Sequence, residues 1–156
     1  MGRKSAVIMS LYRNDTIEFV TLAVESILNQ SYTDFDLYIQ YDGPIKDEVD
    51  AYLSHLNDER IHIYKRLENK GLAQSLNDLL KIVKPLEYDY IARMDADDIS
   101  TTDRFEKQIH YLQSHSHIDM VGGAINEIDE NGRNRGKVTS YPCTADECRA
   151  FFEKRN

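Results

Sequence analysis

The stretch that decides the fold is YDYIARMDADD, residues 88–98, where a strand pattern runs directly into three carboxylates within four residues. Like charges this close repel one another and need a reason to coexist. At the carboxyl end of a buried strand they would lie in the crevice where open α/β sheets bind ligands. Oxygen ligands in an open site suit Mg²⁺ or Mn²⁺, particularly when substrate phosphates complete the coordination shell. Asp95-Ala96-Asp97-Asp98 therefore predicts a metal and ligand site.

A simpler interpretation of this acidic cluster is a loop before a helix, whose carboxylates cap that helix and face solvent. A calcium loop of the EF-hand type is excluded, because it needs Asp or Asn at the fifth position and Gly at the sixth. Ile99 and Ser100 stand at those positions. An Asp-x-Asp pattern alone is also weak, since it recurs in phosphatases and nucleotidyltransferases. The interpretation therefore depends on the rest of the chain.

Strand-like and helix-like segments alternate around this stretch, which predicts βαβ units and a largely parallel sheet. Asp15-Thr16-Ile17-Glu18 is typical of a capping box and predicts the start of the first helix. Asn131-Gly132 predicts a tight turn between Ile128 and Val138. The other predicted strands cover residues 6–11, 37–41, 61–64 and 120–125, and the other predicted helices cover 49–56, 72–83, 144–154 and a segment from Thr101 or Thr102.

Length and composition indicate one ordinary domain over residues 1–156, with 41% hydrophobic and 29% charged residues. The formal net charge of −8 argues against a nucleic-acid partner, which would need clustered Lys and Arg. An anionic ligand must then be bound by local cations or by a bridging metal. Cys143 and Cys148 lack the partners of a zinc site and are expected to be free thiols in a reducing cytosol.

The chain shows no signal-peptide core and no apolar run near the ~20 residues of a membrane span. We therefore expect a soluble cytoplasmic chain. A membrane contact, for example at the inner face of a membrane, would need residues beyond this sequence.

Other polar residues follow the predicted strands at the same edge of the sheet. Ser10 and Tyr12 close the first strand, where Tyr12 either stacks on a base or packs against the protein. Asp42, before Gly43, is either part of a plain turn or an acceptor for a base or sugar. Each of the cations Arg66, Lys70 and Arg93 is, taken singly, most simply a solvated surface charge. Arg93 is the best candidate for the site, because within a strand it must pair with a carboxylate or face the crevice.

Taken in order, these residues resemble the family 2 glycosyltransferases, which have the GT-A fold. Residues 7–14 resemble that family's first strand and uridine loop, and residues 26–32 its first helix end. Asp42-Gly43 lies where the family has an acidic pair before a turn. Residues 69–73 with Asn77 resemble the entry of the third helix, and residues 93–98 the metal-binding motif. The resemblance covers about residues 5–152, nearly the whole chain.

The resemblance implies a fold, a reaction and residue roles. The fold would be an α/β, Rossmann-like GT-A three-layer αβα sandwich with a mainly parallel sheet. The reaction would be inverting transfer from a nucleotide sugar, specifically a UDP-sugar, to a glycan or lipid-linked acceptor, with Mn²⁺ or Mg²⁺ as cofactor. Bacterial surface-polysaccharide assembly follows by the same analogy. The resemblance implies that Ser10, Tyr12 and Asp42 bind the uracil and the ribose. It implies that Asp95 contacts the ribose or the metal's water shell, and that Asp97 ligates the metal, with Asp98 as second candidate. Lys70 and Arg93 would contact the donor phosphate or sugar.

The chain also departs from the family pattern. Tyr41 and Pro44 replace the acidic residue and the Ser common in that turn, which weakens the base contact through Asp42. The family's catalytic base, a carboxylate that takes the acceptor proton, comes later in the chain, and nothing after Asn126 resembles it. We therefore expect the base and the acceptor-binding part to lie beyond Asn156, and this chain, truncated at its C-terminus, to bind donor while transferring sugar poorly or not at all.

Two other functions stay open from the residues alone. A metal-dependent sugar nucleotidyltransferase would use a similar cation, but such enzymes place a Gly-rich basic loop after the first strand, and residues 10–15 contain no Gly. A non-catalytic nucleotide-sugar-binding module is the other alternative, with Asp97 merely structural.

Overall fold

Four parallel strands form the central sheet of the first part of the chain. The computed structural model describes residues 4–153, and β1 (Ser5–Leu11), β2 (Phe35–Tyr41), β3 (Ile61–Lys65) and β4 (Tyr90–Met94) lie in the order β3-β2-β1-β4. The chain leaves β1 toward β2 on one side and returns to β4 on the other. The strand order therefore reverses between β1 and β4. The crevice at the carboxyl ends of these two strands is the topological switch point, where ligands bind in open α/β sheets.

Helices cover both faces of this sheet. One hydrophobic cluster joins the strands to α1 (Ile17–Leu28), α2 (Asp47–His55) and the start of α4 (Arg104–Ser114). A second cluster joins the other face to α3 (Leu72–Val83), through Leu79 and Val83. β1 and β2 are buried along their length because they lie in the middle of the sheet with helices on both sides. The predicted three-layer αβα arrangement with a parallel sheet is confirmed.

The predicted capping box at Asp15 is wrong in detail. Thr16 is the N-cap of α1, and its side chain accepts a hydrogen bond from the N–H of Phe19 at 3.4 Å. The Asp15 carboxylate instead accepts from the N–H of Tyr12 at 2.8 Å. Asp and Thr both serve as caps, so the local pattern did not decide between adjacent residues.

The described residues divide into two compact units, residues 4–109 and residues 110–153. The second unit contains the end of α4, an antiparallel pair of strands, β5 (Ile125–Ile128) and β6 (Asn134–Thr139), and the helix α5 (Ala145–Glu153). The predicted turn at Asn131-Gly132 is confirmed, with Gly132 at φ 75°. A capping box begins α5, because Thr144 Oγ1 accepts from the N–H of Glu147 while the Glu147 carboxylate accepts from the N–H of Thr144.

The predicted strand over residues 120–125 is wrong. The segment before Ile125 is irregular, and β5 begins only at Ile125. Gly122 and Gly123 have no side chains to bury, and Met120 is 84% exposed, so the segment lacks the packing that stabilises a strand.

The predictions about thiols, membrane spans, location and domain number are tested to different extents. Cys143 and Cys148 are free thiols, as expected. None of the helices that the structure describes is long and apolar enough to cross a membrane. The cytoplasmic location and the single domain over residues 1–156 stay predictions, and the predicted end of the last helix at Lys154 lies outside the described residues.

Candidate functional site

The predicted site residues meet at the carboxyl edge of the parallel sheet. Met9 of β1 is opposite Met94 of β4, so Ser10 and Asp95 follow side by side. On the other side of β1, the N–H of Asp42 donates to the carbonyl of Leu11 at 2.7 Å. The ends of β2, β1 and β4 therefore bring Asp42, Ser10 and Asp95 to one edge, as the sequence predicts.

The loop after β1 is shaped by Asp15, a residue that the sequence assigned to helix capping. The Asp15 carboxylate accepts from the Tyr12 N–H, and the Asp15 N–H donates to the Tyr12 carbonyl at 3.1 Å. Burial raises the pKa of Asp15, the hydrogen bond from Tyr12 lowers it, and the negative charge of Asp97 raises it further. Asp97 is therefore close enough to this loop to act on it electrostatically. The Tyr12 side chain is 42% exposed, so its ring is available for stacking.

The acidic cluster at the end of β4 contains carboxylates with different partners. Asp95 accepts hydrogen bonds from Arg93 at 2.7, 2.8 and 3.0 Å, so Arg93 meets the expectation that it pairs with a carboxylate. Among residues 4–153, no basic side chain forms an ion pair with Asp97 or Asp98. Partial burial raises the pKa of Asp98, and the negative charges of Asp97 and Asp95 raise it further. Asp97 and Asp98 thus differ from Asp95, because neither forms an ion pair with a basic side chain that the structure describes.

The cluster's oxygen ligands fit a hard divalent cation. Within residues 4–153, no three His, Cys, Asp or Glu side chains converge on a point that would hold a metal by themselves. Mg²⁺ is commonly bound through one or two carboxylates, with water and substrate phosphates as its other ligands. Asp97 and Asp98 are exposed at the switch point and match that pattern. The assignment of Asp97, Asp95 and Asp98 as metal ligands stays a prediction.

Arg104 is a further cation near the acidic cluster, and the sequence pattern did not single it out. Its guanidinium donates to the carbonyl of Arg93 at 2.9 Å and lies within electrostatic range of Asp98 and Asp95. Arg104 thereby bonds to the backbone of β4 next to the cluster. The sequence offered only a charged residue at a helix start, which is common and uninformative.

Asp42 has a different environment from the acidic cluster. It is 3% exposed, and its carboxylate accepts from Arg66, from the N–H of Lys70 at 2.7 Å and from the N–H of Gly71 at 2.8 Å. Burial alone would raise the pKa of Asp42, but these hydrogen bonds outweigh burial and lower it. Whether Asp42 also contacts a nucleotide stays a prediction, although its oxygens already have partners within the protein.

Arg66 is the cation whose predicted surroundings are wrong. Its guanidinium is largely buried, because it bonds to Asp42, to Ser75 Oγ at 2.8 Å and to Asp78 at 2.9 Å. The turn after β2 also approaches the loop of residues 66–71, which follows β3. A Cβ at Gly43 would lie 2.9 Å from the backbone nitrogen of Asn69 in this loop. The turn and residues 66–71 are therefore packed and hydrogen-bonded together at this edge of the sheet.

Lys70 lies on the same loop, and its side chain is exposed. Among residues 4–153, no carboxylate forms an ion pair with its ammonium group. Its backbone N–H is bound by Asp42, so its position is determined by the Asp42 network. Its contact with donor phosphate or sugar stays a prediction.

Comparison with known proteins identifies the family. The family described as "Glycosyl transferase family 2" matches residues 6–155, and the chain belongs to it. The resemblance inferred from the ordered motifs is therefore confirmed.

Curated relatives carry glycosyltransferase names. The chain is 32% identical over 152 residues to the amylovoran biosynthesis glycosyltransferase AmsE of Erwinia amylovora, covering 97% of this chain and 55% of that protein. It is 40% identical over 129 residues to the O-antigen biosynthesis glycosyltransferase WbnJ of Escherichia coli, covering 81% of this chain and 48% of that protein. The chain thus spans about half the length of these relatives.

A solved structure supports the fold. The S. aureus TarS 1-349 crystal structure in complex with UDP-GlcNAc matches with a TM-score of 0.62 at 18% identity, covering 72% of this chain and 32% of that one. The likeness confirms the expected GT-A fold.

Proposed function

We propose that this chain is the donor-binding part of an inverting family 2 glycosyltransferase that uses a UDP-sugar and a divalent cation, Mn²⁺ or Mg²⁺. The observation that carries the proposal is the pair of exposed carboxylates without basic partners, Asp97 and Asp98, beside the Tyr12 loop at the switch point. Asp97 and Asp98 would hold the cation, which would supply positive charge for the donor diphosphate. The family membership and the TarS complex with UDP-GlcNAc support the same reading.

In this proposal the nucleotide lies across the carboxyl edge of the sheet. The base stacks on Tyr12, and Ser10 contacts the base or ribose. The diphosphate lies toward β4, where Asp97 and Asp98 are exposed, and Asp95 stays bound to Arg93 beside the ribose. Because the chain carries a net charge of −8, the diphosphate cannot be held by general positive potential. Local groups, with Lys70 and Arg93 as candidates, must supply the attraction.

The reaction would invert the anomeric centre of the sugar. The cation, when bound, stabilises the departing nucleoside diphosphate as a Lewis acid. A carboxylate base must take the proton of the acceptor hydroxyl during attack. We assign that base to the acceptor-binding part, and so expect this chain to bind donor with little transfer. The relatives' names refer to amylovoran and O-antigen biosynthesis, which supports a role in polysaccharide assembly. We propose a glycan or lipid-linked acceptor by analogy with the family.

Calorimetric titration with UDP, with and without Mn²⁺, tests the proposal. We expect Mn²⁺ to strengthen UDP binding at least tenfold, and Asp97→Ala to abolish that gain without unfolding the protein. Asp34→Ala is the matched control, because Asp34 is also exposed but precedes β2 at the opposite edge of the sheet. An affinity for UDP that is the same with and without Mn²⁺ would contradict the proposal. Preference for a nucleoside triphosphate would favour a nucleotidyltransferase, and no nucleotide binding would favour a non-catalytic module.

A further inference from the structure

A buried glutamine follows the first helix and bonds to the segment after the acidic cluster. Gln30 is 3% exposed, and its Nε2 donates to the carbonyls of Thr101 at 2.7 Å and Ser26 at 2.9 Å. Nε2 also lies 3.3 Å from Ser100 Oγ, and Oε1 accepts from the N–H of Phe105 at 3.1 Å. Phe105 is in the first turn of α4, where backbone N–H groups lack partners within the helix. One side chain thus joins the end of α1, the segment after the cluster and the start of α4.

Two further bonds reinforce this junction. The N–H of Ser100 donates to Ser26 Oγ at 3.0 Å, and the N–H of Ser31 donates to the carbonyl of Thr102 at 2.8 Å. These bonds connect residues that are about 70 positions apart in the chain. The segment after the acidic cluster is therefore bonded to α1 through backbone and side chains together.

The junction limits where Asp97 and Asp98 can lie. Ala96 is buried in the main core and Ser100 is buried at the Gln30 junction, while the intervening residues Asp97, Asp98 and Ile99 are exposed. A segment this short between two attached points has few conformations. Without the second attachment, the mutual repulsion of Asp97 and Asp98 would favour conformations in which their carboxylates separate.

We propose that Gln30, together with Ser26, is a positioning residue that keeps the Asp97–Asp98 segment in the geometry needed to bind a divalent cation and a nucleoside diphosphate. The proposal rests on the proposed function. Gln30 touches neither ligand. It lowers the conformational entropy cost of cation binding and keeps the two carboxylates close despite their repulsion, in the way that groups behind metal ligands orient those ligands.

The test compares two glutamines of similar burial. Gln30→Met keeps the length and approximate volume of the side chain but removes its hydrogen bonds to the segment. Gln40→Met is the matched control, because Gln40 is 5% exposed and donates to the carbonyls of Tyr41 at 3.0 Å and Tyr64 at 3.2 Å, away from the acidic segment. The readouts are UDP affinity by calorimetry with and without Mn²⁺, and the melting temperature of each variant.

We expect Gln30→Met to reduce the Mn²⁺-dependent gain in UDP affinity about tenfold, because replacing groups behind metal ligands commonly weakens metal binding by about this factor or more. UDP binding without Mn²⁺ should stay within about twofold of the wild-type value, since Gln30 does not touch the nucleotide. Gln40→Met should lower the melting temperature but keep the full gain. A Gln30→Met protein that folds and keeps the gain overturns the proposal. So does an equal loss of gain in both glutamine variants, because the effect would then follow from instability alone.

Ser26→Ala decides the question if Gln30→Met does not fold. It removes the acceptor for the Ser100 N–H together with the bond that the hydroxyl donates to the Ala23 carbonyl within α1. We expect a loss of the Mn²⁺-dependent gain of about threefold with a folded protein. An unchanged gain in a folded Ser26→Ala protein counts against the proposal. The wild-type chain distinguishes failure of the proposed function from failure of the role of Gln30 and Ser26. If the wild type shows no Mn²⁺-dependent gain, the proposed function fails. If the wild type shows the gain and both variants keep it, only the role of Gln30 and Ser26 is removed.

Discussion

Asp42 and the Asp95–Asp98 cluster lie at the same edge of the same sheet, yet their charges are handled in opposite ways. Asp42 is buried with Arg66 and two backbone N–H groups as partners, and its pKa is lowered. Asp98 is exposed beside other carboxylates, and its pKa is raised. The protein stabilises the first negative charge by itself and leaves the second without a partner among the described residues.

This difference separates charge that stabilises the fold from charge that remains available to a ligand. A buried ion pair with further hydrogen bonds tolerates no loss of one partner, because the other charge is then left uncompensated. A cluster of exposed carboxylates gains nothing for folding from its mutual repulsion, so its presence needs another explanation. A bound cation supplies one. Substitutions in the Asp42 network should therefore mainly reduce the free energy of unfolding. Substitutions in the acidic cluster should mainly reduce ligand binding.

Removing the partner of Asp42 should have the largest effect. Arg66→Met leaves a buried carboxylate without its cation, and we expect the free energy of unfolding to fall by about 3–5 kcal/mol. The measurement is urea unfolding followed by circular dichroism. Arg93→Met is the control, because it removes an exposed ion pair to Asp95 and should cost less than about 1 kcal/mol. Equal losses for the two arginines would erase the contrast between the two regions.

Acid should reveal the charge of Asp42 through stability. Because the pKa of Asp42 is lowered in the folded protein, the unfolded chain takes up the proton first as the pH falls. The stabilisation from the ionised Asp42 is present above the unfolded pKa of about 3.9 and is lost as the pH falls through the folded pKa. We expect Asp42→Asn to destabilise the protein by about 1–3 kcal/mol near neutral pH.

The difference between wild type and Asp42→Asn should shrink as the pH decreases below about 4. Unfolding curves measured at several pH values for both proteins test this expectation. A difference that stays constant down to the lowest pH would mean that Asp42 is not ionised with a lowered pKa in the folded state.

Tyr12 should matter for the nucleotide and hardly at all for the fold. Because its ring is partly exposed, Tyr12→Ala should change the free energy of unfolding by less than about 0.5 kcal/mol. Loss of stacking on the base should weaken UDP binding by about 1 kcal/mol, roughly fivefold. Titration with UDP and with pyrophosphate checks the cause, since pyrophosphate has no base and its affinity should not change. A parallel loss for both ligands would contradict a base contact.

The smallest effect should have the opposite sign from that at Asp42. The raised pKa of Asp98 means that its ionised form is disfavoured in the folded protein. This strain is relieved as the pH falls through the folded pKa, or by neutralising the residue. Asp98→Asn should therefore leave stability unchanged or raise it by up to about 0.5 kcal/mol, since solvent screens an exposed group. Thermal unfolding near neutral pH without metal is the measurement, and a clear destabilisation would show that Asp98 supports the fold.

Local sequence patterns determined much of this protein. The alternation of apolar runs with helical spacing placed the strands of the parallel sheet, and the acidic stretch after β4 predicted which edge carries the site. These features follow from the periods of strands and helices, which act over a few residues. The two errors in secondary structure, at Asp15 and at residues 120–125, arose where a local pattern allowed neighbouring alternatives or lacked packing.

Only the tertiary structure decided which polar residues meet. Arg66 bonds to Asp42 across 24 positions, and Gln30 bonds to Ser100 across 70, so no local window contains either pair. A charged or amide side chain carries the same local signal whether it is solvated or buried. Its role depends on partners that folding brings close, because the cost of burying a polar group is recovered only through those partners.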